Sequence, residues 1–302
     1  MSISGIPEHL MEHIQGFLLR RIQGETVPEE GEEEVLESIP PGEVRYVEGS
    51  RLRVPARLEN ASVVVAGHVI CEADVYSAQI VALGDVTVEG WCSHAVIVGM
   101  QDVMLHSAVY ASIFSRQTLC LRTEARSSVL QAAVVDAGEA VLFGGQVVAL
   151  QRIRVRQLRG AFGENALVLS IGTPYLQQLE QQYWRKQLSE LREQLRVVQR
   201  ELETLLMSRY GRLSEQAHRL RAEYNSIQEQ LQQVELRSYG VIPQKPVIEV
   251  RENVPADTII SIQGLIYRVP SELLGVRFSS NGMRIVLESL PDSEEQAGGE
   301  GR

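Results

Sequence analysis

The chain has few aromatic residues and few cysteines. Phe, Trp and Tyr make up 5% of its 302 residues. Rings fill most large globular cores, so thin layers of Val, Ile, Leu and Ala are the better expectation here. A hydrophobic fraction of 44% still provides for a folded core. There are three cysteines, Cys71, Cys92 and Cys120, and no Cys-x-x-Cys. An odd, unpaired set argues against a disulfide framework and for buried free thiols in a reducing compartment. His68 with Cys71, and Cys92 with His94, have metal-like spacings. One pair is not a four-ligand site, so no metal and no cofactor is expected.

Other absences narrow the function. No apolar run approaches the ~20 residues that span a bilayer. Glu8 and Glu12 interrupt the N-terminus, which lacks the pattern of a signal peptide, so the cytoplasm is the expected location. There is no Gly-x-Ser-x-Gly, no Walker loop and no His-Glu-x-x-His, and the six histidines are scattered. His106, in a strand segment, reads as a surface or satisfied histidine and not as a base. An enzyme is therefore not expected. The net charge of −10 argues against nonspecific binding of nucleic acid or of an anionic membrane.

What the sequence does have is a repeat. Five tetrapeptides line up over residues 61–147: His68-Val69-Ile70-Cys71, Asp85-Val86-Thr87-Val88, Asp102-Val103-Met104-Leu105, Thr118-Leu119-Cys120-Leu121 and Glu139-Ala140-Val141-Leu142. Counted from the second residue of each, the steps are 17, 17, 16 and 21. A short strand recurring near every seventeenth residue predicts a single-stranded parallel β-helix, or β-solenoid, over residues 44–173. Gly67, Gly84, Gly90, Gly99, Gly138, Gly144 and Gly145 fall at the expected corners. Tight stacking and unusual backbone angles both favour glycine there. Acyltransferase solenoids should show an apolar residue every six positions, and this repeat does not.

The flanking segments read differently. Residues 1–24 hold a short amphipathic helix, with Leu10, Ile14, Phe17 and Leu18 on one face and Pro7 in the first turn. It is expected to cap one end of the solenoid or to dock on a partner. Only Arg20 and Arg21 could meet lipid headgroups, so membrane association is not expected. Residues 25–43 carry seven glutamates (Glu25, Glu29, Glu30, Glu32, Glu33, Glu34 and Glu37) among Pro28, Gly31, Pro40 and Pro41, the composition of a solvated linker.

Residues 174–238 predict an antiparallel coiled-coil hairpin inserted after the solenoid. Leu188, Leu191, Leu195, Val198, Leu202 and Leu205 form one heptad seam. Leu213, Ala217, Leu220, Tyr224, Ile227, Leu231 and Val234 form another. Gly211 between them suits a helix end and a short link, which favours a hairpin over one long helix in a parallel dimer. The first arm is longer by roughly 15 Å. Its extra residues Leu176, Leu179, Tyr183 and Trp184 are expected against the solenoid end. Residues 239–290 return to a short β segment, with Asn281-Gly282 as a hairpin turn. The polar tail 291–302 is expected to be disordered.

One surface feature stands out. Arg152, Arg154 and Arg156 alternate with Ile153 and Val155, and Arg159 follows. Alternation places the arginines outward. This basic stripe is the candidate partner-binding site. It would meet an acidic protein or the chain's own glutamates. No aromatic interleaves the arginines in the sequence, so nucleic acid is not expected.

Phe143-Gly144-Gly145, followed by Ala149, Ile153 and Gly163, resembles the Gly-Gly coil of the flagellar assembly protein A (FapA) family. Val269-Pro270-Ser271-Glu272-Leu273-Leu274-Gly275-Val276-Arg277-Phe278 is similar to that family's C-terminal segment. The resemblance spans roughly residues 60–290. It implies a bacterial scaffold or adaptor tied to flagellar assembly or polar organisation through protein partners, without catalytic residues. A homo-oligomer is possible within this reading. The alternative is a self-assembling cytoskeletal polymer of the bactofilin kind.

Overall fold

The computed structural model describes residues 6–27, 33–160, 167–207, 215–238 and 246–290. Within residues 1–177 and 243–302 the chain winds as a three-faced parallel β-solenoid. The first face stacks β1 (Glu33–Val35), β3 (Arg51–Val54), β6 (His68–Cys71) and the first halves of β9 (Val86–Ser93) and β11 (Val103–Val109). The second is short: β4 (Leu58–Glu59), β7 (Val75–Tyr76), then the last halves of β9 and β11. The third stacks β2 (Val44–Val47), β5 (Ser62–Val65), β8 (Gln79–Ala82), β10 (Val96–Gly99) and β12 (Ser112–Ser115). The extended run β13 (Thr118–Arg159) carries all three faces onward.

The predicted repeat matches the register. Val69, Val86, Val103 and Leu119 are stacked partners on the first face, and all are buried. The fifth core, 139–142, departs from the expected column and lies on the second face. A Cβ on Gly145 would strike the Ser128 carbonyl, and Arg126 lies over the Phe143 ring. Leu142 therefore continues the second-face column Leu58, Val75, Cys92, Ala108 and Ala125. The 21-residue step arose from changing faces, since both columns are apolar.

The stack also begins earlier than expected. β1 pairs with β3 inside the stretch read as a linker, and Ile39 joins the core. Leu36 and Ile39 supply the apolar side chains that a solvated spacer would lack. Glu29, Glu30 and Glu32 lie outside the described residues.

On the third face, strands are apolar on both sides, as in sheets covered twice. Inward Val63, Ile80, Ile97 and Ile113 fill the core. Outward Val64, Val81, Val98 and Phe114 are buried as well. The helix α1 (Glu8–Ile22) packs on this outer face at β8, with Leu10, Ile14, Phe17 and Leu18 buried. His13 stacks beside Tyr46, with ring centroids 5.2 Å apart, and Met11 Sδ accepts from the Tyr175 hydroxyl at 3.4 Å. The helix is therefore a flank cover, not the end lid expected, because the apolar outer row of the third face is what matches its stripe.

The helical insertion replaces one corner. β14 (Val168–Ile171) pairs with Gln146–Ala149, and β15 (Val247–Val254) resumes in parallel on Arg152–Val155. β16 (Ile259–Ile262) then stacks on β14. Between β14 and β15 run α2 (Tyr175–Met207) and α3 (Glu215–Ser238). Residues 178–242 form a unit of their own. In it Leu191, Val198 and Ile227 are buried, with Leu195, Leu220, Tyr224, Leu231 and Val234 packed around them. Arg192, midway along α2, meets Glu235, near the end of α3, at 2.9 Å, as in an antiparallel hairpin. Gly211, Gly163 and the tail 291–302 lie outside the described residues. None of the described helices is long and apolar enough to cross a membrane.

The C-terminal strands β17 (Leu265–Arg268), β18 (Leu273–Ser280) and β19 (Ile285–Ser289) add antiparallel partners to β16, β15 and each other. Gly282 takes φ +86° in the β18–β19 turn, as Asn281-Gly282 predicted.

Glycines in the corners are there for space. A Cβ on Gly90 would lie 2.5 Å from the Ala73 carbonyl carbon and 2.6 Å from the Asp74 nitrogen. Both are backbone atoms that cannot yield. Gly90→Ala is expected to destabilise the solenoid by about 1–3 kcal/mol through overpacking. Gly16→Ala, in open space on α1, should instead stabilise by roughly 0.5–1 kcal/mol. Urea denaturation of both variants tests the contrast.

Candidate interaction surface

One edge of the solenoid turns through the left-handed backbone region at every coil. Asn60, Ser77, His94, Tyr110 and Ser127 have φ between 45° and 53°, and Gly144 has 64°. They recur every 16 or 17 residues. Non-glycine residues there cost on the order of 1–2 kcal/mol each. The ladder explains why the strain is accepted. The N–H of Asn60, Ser77, His94 and Tyr110 donates to the carbonyl of Tyr76, Ser93, Val109 and Arg126, at 2.9 to 3.0 Å. An unpaired buried N–H would cost about as much as the strain, ~1–3 kcal/mol.

The residue after each left-handed position points into the tight corner and is small: Ala61, Ala78, Ala95, Ala111, Ser128 and Gly145. Ser128 adds a cap, since its Oγ accepts from the Ala111 N–H at 3.2 Å. This alanine row was the signal in the sequence. The left-handed residues themselves share no chemistry and gave none.

The same edge lines up rings and guanidinium groups. Arg57 lies 5.2 Å over Tyr76, Tyr76 is 5.8 Å from His94, and His94 is 5.3 Å from Tyr110. Further along, Arg126 and Arg159 sit 4.9 and 5.6 Å from the Phe143 ring. Tyr110 is 60% exposed. Coil stacking forces this arrangement: one outward side chain per coil at the same corner must touch its neighbours above and below. Flat groups satisfy that contact best, and arginine stacks on rings as well as rings do.

The predicted stripe divides. Arg152 and Arg154 stand on the first face, in register with Val247 and Glu249. Arg154 lies 4.0 Å from Asp136. Arg156 Nε is 3.3 Å from Glu252 but without hydrogen-bond alignment. Arg159 belongs to the second face, donates to Gln157 at 3.2 Å, and joins the aromatic edge through Phe143. The first three thus stand next to one another and the fourth apart. Alternation held only up to the corner after Val155.

The metal-like pairs separate too. Cys71 and Cys92 point into the core, while the His68 and His94 side chains point outward. His68 Nδ1 accepts from the Asp85 N–H at 3.0 Å, Asp85 Oδ1 from Asp102 N–H at 2.9 Å, and Asp102 Oδ1 from Thr118 N–H at 2.8 Å. This column caps the backbone at the entry to successive first-face strands.

The described part of the chain is thus a parallel β-solenoid with a two-helix insertion at a corner and antiparallel strands closing its last coils. The family model described as Flagellar Assembly Protein A beta solenoid domain (FapA) matches residues 58–285, and the chain belongs to that family. No curated protein and no solved structure matches it.

The core thiols of Cys71 and Cys92 are shut away from solvent. Burial pushes Cys71 up to about 12, and burial with Cys71 nearby pushes Cys92 to about 12. Both remain protonated thiols near neutral pH, and the thiolate is the reactive form. An aromatic disulfide reagent on the native chain near pH 8 should leave both unmodified, with all three cysteines reacting after denaturation. Unfolded thiols ionise near 9.0, so each lowers stability by about 1.4 kcal/mol per pH unit as pH rises from about 9 toward 12. Cys71→Ala should flatten that alkaline slope.

Proposed function

We propose that this protein is a non-enzymatic scaffold or adaptor in flagellar assembly or polar organisation, acting in the cytoplasm through protein–protein contacts. Membership of the FapA family supports the link to flagella. The observation that carries the contact reading is the corner edge of Arg57, Tyr76, His94, Tyr110, Arg126, Phe143 and Arg159. Tyrosine, phenylalanine and arginine are the residues enriched where proteins meet, and tyrosine and arginine supply much of the binding energy there. The coil stack holds them pre-ordered, so a partner does not have to freeze them on binding.

Arg152, Arg154 and Arg156 offer a second contact, for an acidic partner that would compete with Asp136 and Glu252. Exposed ion pairs of this kind are worth roughly 0–1 kcal/mol, so an incoming carboxylate can displace them. A bactofilin-like filament requires coils that stack end on end. The antiparallel strands β17 and β18 on the last coils oppose that geometry.

Proximity labelling in the native host tests the proposal, with the wild type beside Tyr76→Ala/Tyr110→Gly/Arg126→Ala. Glycine keeps the left-handed corner at position 110. The triple variant should lose labelling of flagellar or polar proteins by about tenfold or more, as expected for interface hot spots, with its melting transition retained. Labelling unchanged both in that variant and in Arg152→Glu/Arg154→Glu/Arg156→Glu would refute contact through these surfaces.

A further inference from the structure

The two ends of the coil stack differ. At the C-terminal end β15 and β16 take antiparallel partners, β18 and β17, and parallel stacking stops. At the N-terminal end β1 pairs with β3 and β2 with β5, and among the described residues neither strand is paired on its other side. In a parallel ladder, alternate residues turn their backbone groups to opposite sides. The Leu36 N–H donates to the Arg53 carbonyl, and the Val47 carbonyl accepts from Ala66, so that parity faces the stack. Glu33, Val35, Val44 and Tyr46 have the other parity and turn their N–H and C=O groups to the open edge. Three of the four are large apolar residues, exposed by 50% at Val35, 37% at Val44 and 57% at Tyr46.

The stack-facing parity closes the core. Glu34 is in register with Leu52, and Arg45 with Val63, both of which are fully buried inward residues. Glu34 and Arg45 therefore stand at the head of apolar columns, and they meet there at 3.1 Å. A second chain closing over this end would strip water from both charges, a penalty of several kcal/mol per ion. Inward-pointing charge on an edge strand is a known guard against pairing.

We infer that the N-terminal coil is a self-association surface for a second copy of this chain, held shut by the Glu34–Arg45 pair. The occupant follows from the edge itself. Two such edges related by a two-fold axis pair antiparallel, each offering the backbone groups the other lacks, and bring Val35, Val44 and Tyr46 of both copies together. The two-fold closes on itself, so the product is a dimer and not a filament.

Sedimentation velocity on the full chain tests this, with wild type and Glu34→Val/Arg45→Val compared over a wide concentration range. The double variant should reach twice the mass the wild type shows. Adding Val44→Pro should return it to the wild-type mass, since proline removes an N–H that only the open edge would use. Should the valine pair prevent folding, judged by circular dichroism, Glu34→Gln/Arg45→Gln removes the charges at similar size and should show the same doubling at higher concentration. A folded variant that keeps the wild-type mass, a doubling that survives Val44→Pro, or growth beyond a doubling would each overturn the inference.

Discussion

Backbone hydrogen bonding between successive coils is the constraint on which the rest of this structure depends. Each strand of the parallel stack satisfies its N–H and C=O groups on the coils above and below, so every coil must repeat the path of its neighbours. Position then fixes environment: the columns through Leu52, Val69, Val86 and Val103, or Val63, Ile80 and Ile97, stay inward along the stack. The same rule fixes the exceptions. Where coils approach too closely for a Cβ, glycine appears at 67, 84 and 90. Where the path must turn through the left-handed region, five non-glycine residues accept strain, and Asn60, Ser77, His94 and Tyr110 among them donate to the next coil and keep the ladder unbroken.

How much of this the sequence revealed depends on which signal was periodic. The 17-residue step and the identity of four first-face cores were legible, because one inward apolar residue recurs against polar neighbours. The fifth core was misplaced because Leu142 and the first-face residues are equally apolar. Chemistry alone cannot separate faces that share one core. The start of the stack was hidden because Glu33 and Glu34 look like linker residues; the role of Glu34 depends on Arg45 lying across the coil end. The aromatic edge was invisible in linear order. Its members are 16 to 19 residues apart and become neighbours only after the coils stack. The arginine stripe was read correctly as outward over Arg152 and Arg154, and the corner after Val155 is what sends Arg159 to another face.

The helical hairpin shows how a solenoid accepts an insertion. Each coil is held by its neighbours above and below along its faces, so one corner can be opened while the faces on either side of it stay paired. β14 and β15 remain in register with the coil before them although α2 and α3 intervene. The hairpin in turn carries its own apolar seam around Leu191, Val198 and Ile227. An insertion with an independent core leaves the stack's columns undisturbed, which is why the strands after it resume the same inward pattern at Ile248, Val250, Ile260 and Ile262.

The stacking rule bears on function through its surfaces. A repeated corner turns one outward position per coil into a continuous column, so a few substitutions at single sites can assemble an extended recognition strip from residues remote in sequence. Its precision comes from the stack, since neighbouring coils fix the spacing of the rings. The same repetition exposes the first coil to pairing with anything that offers a matching edge. An apolar column gains stability from each coil added, so it has no internal reason to stop. It ends where the sequence breaks the pattern, with an ion pair at one end and antiparallel strands at the other. The interior supplies the stability, and these interruptions determine how far the stack extends.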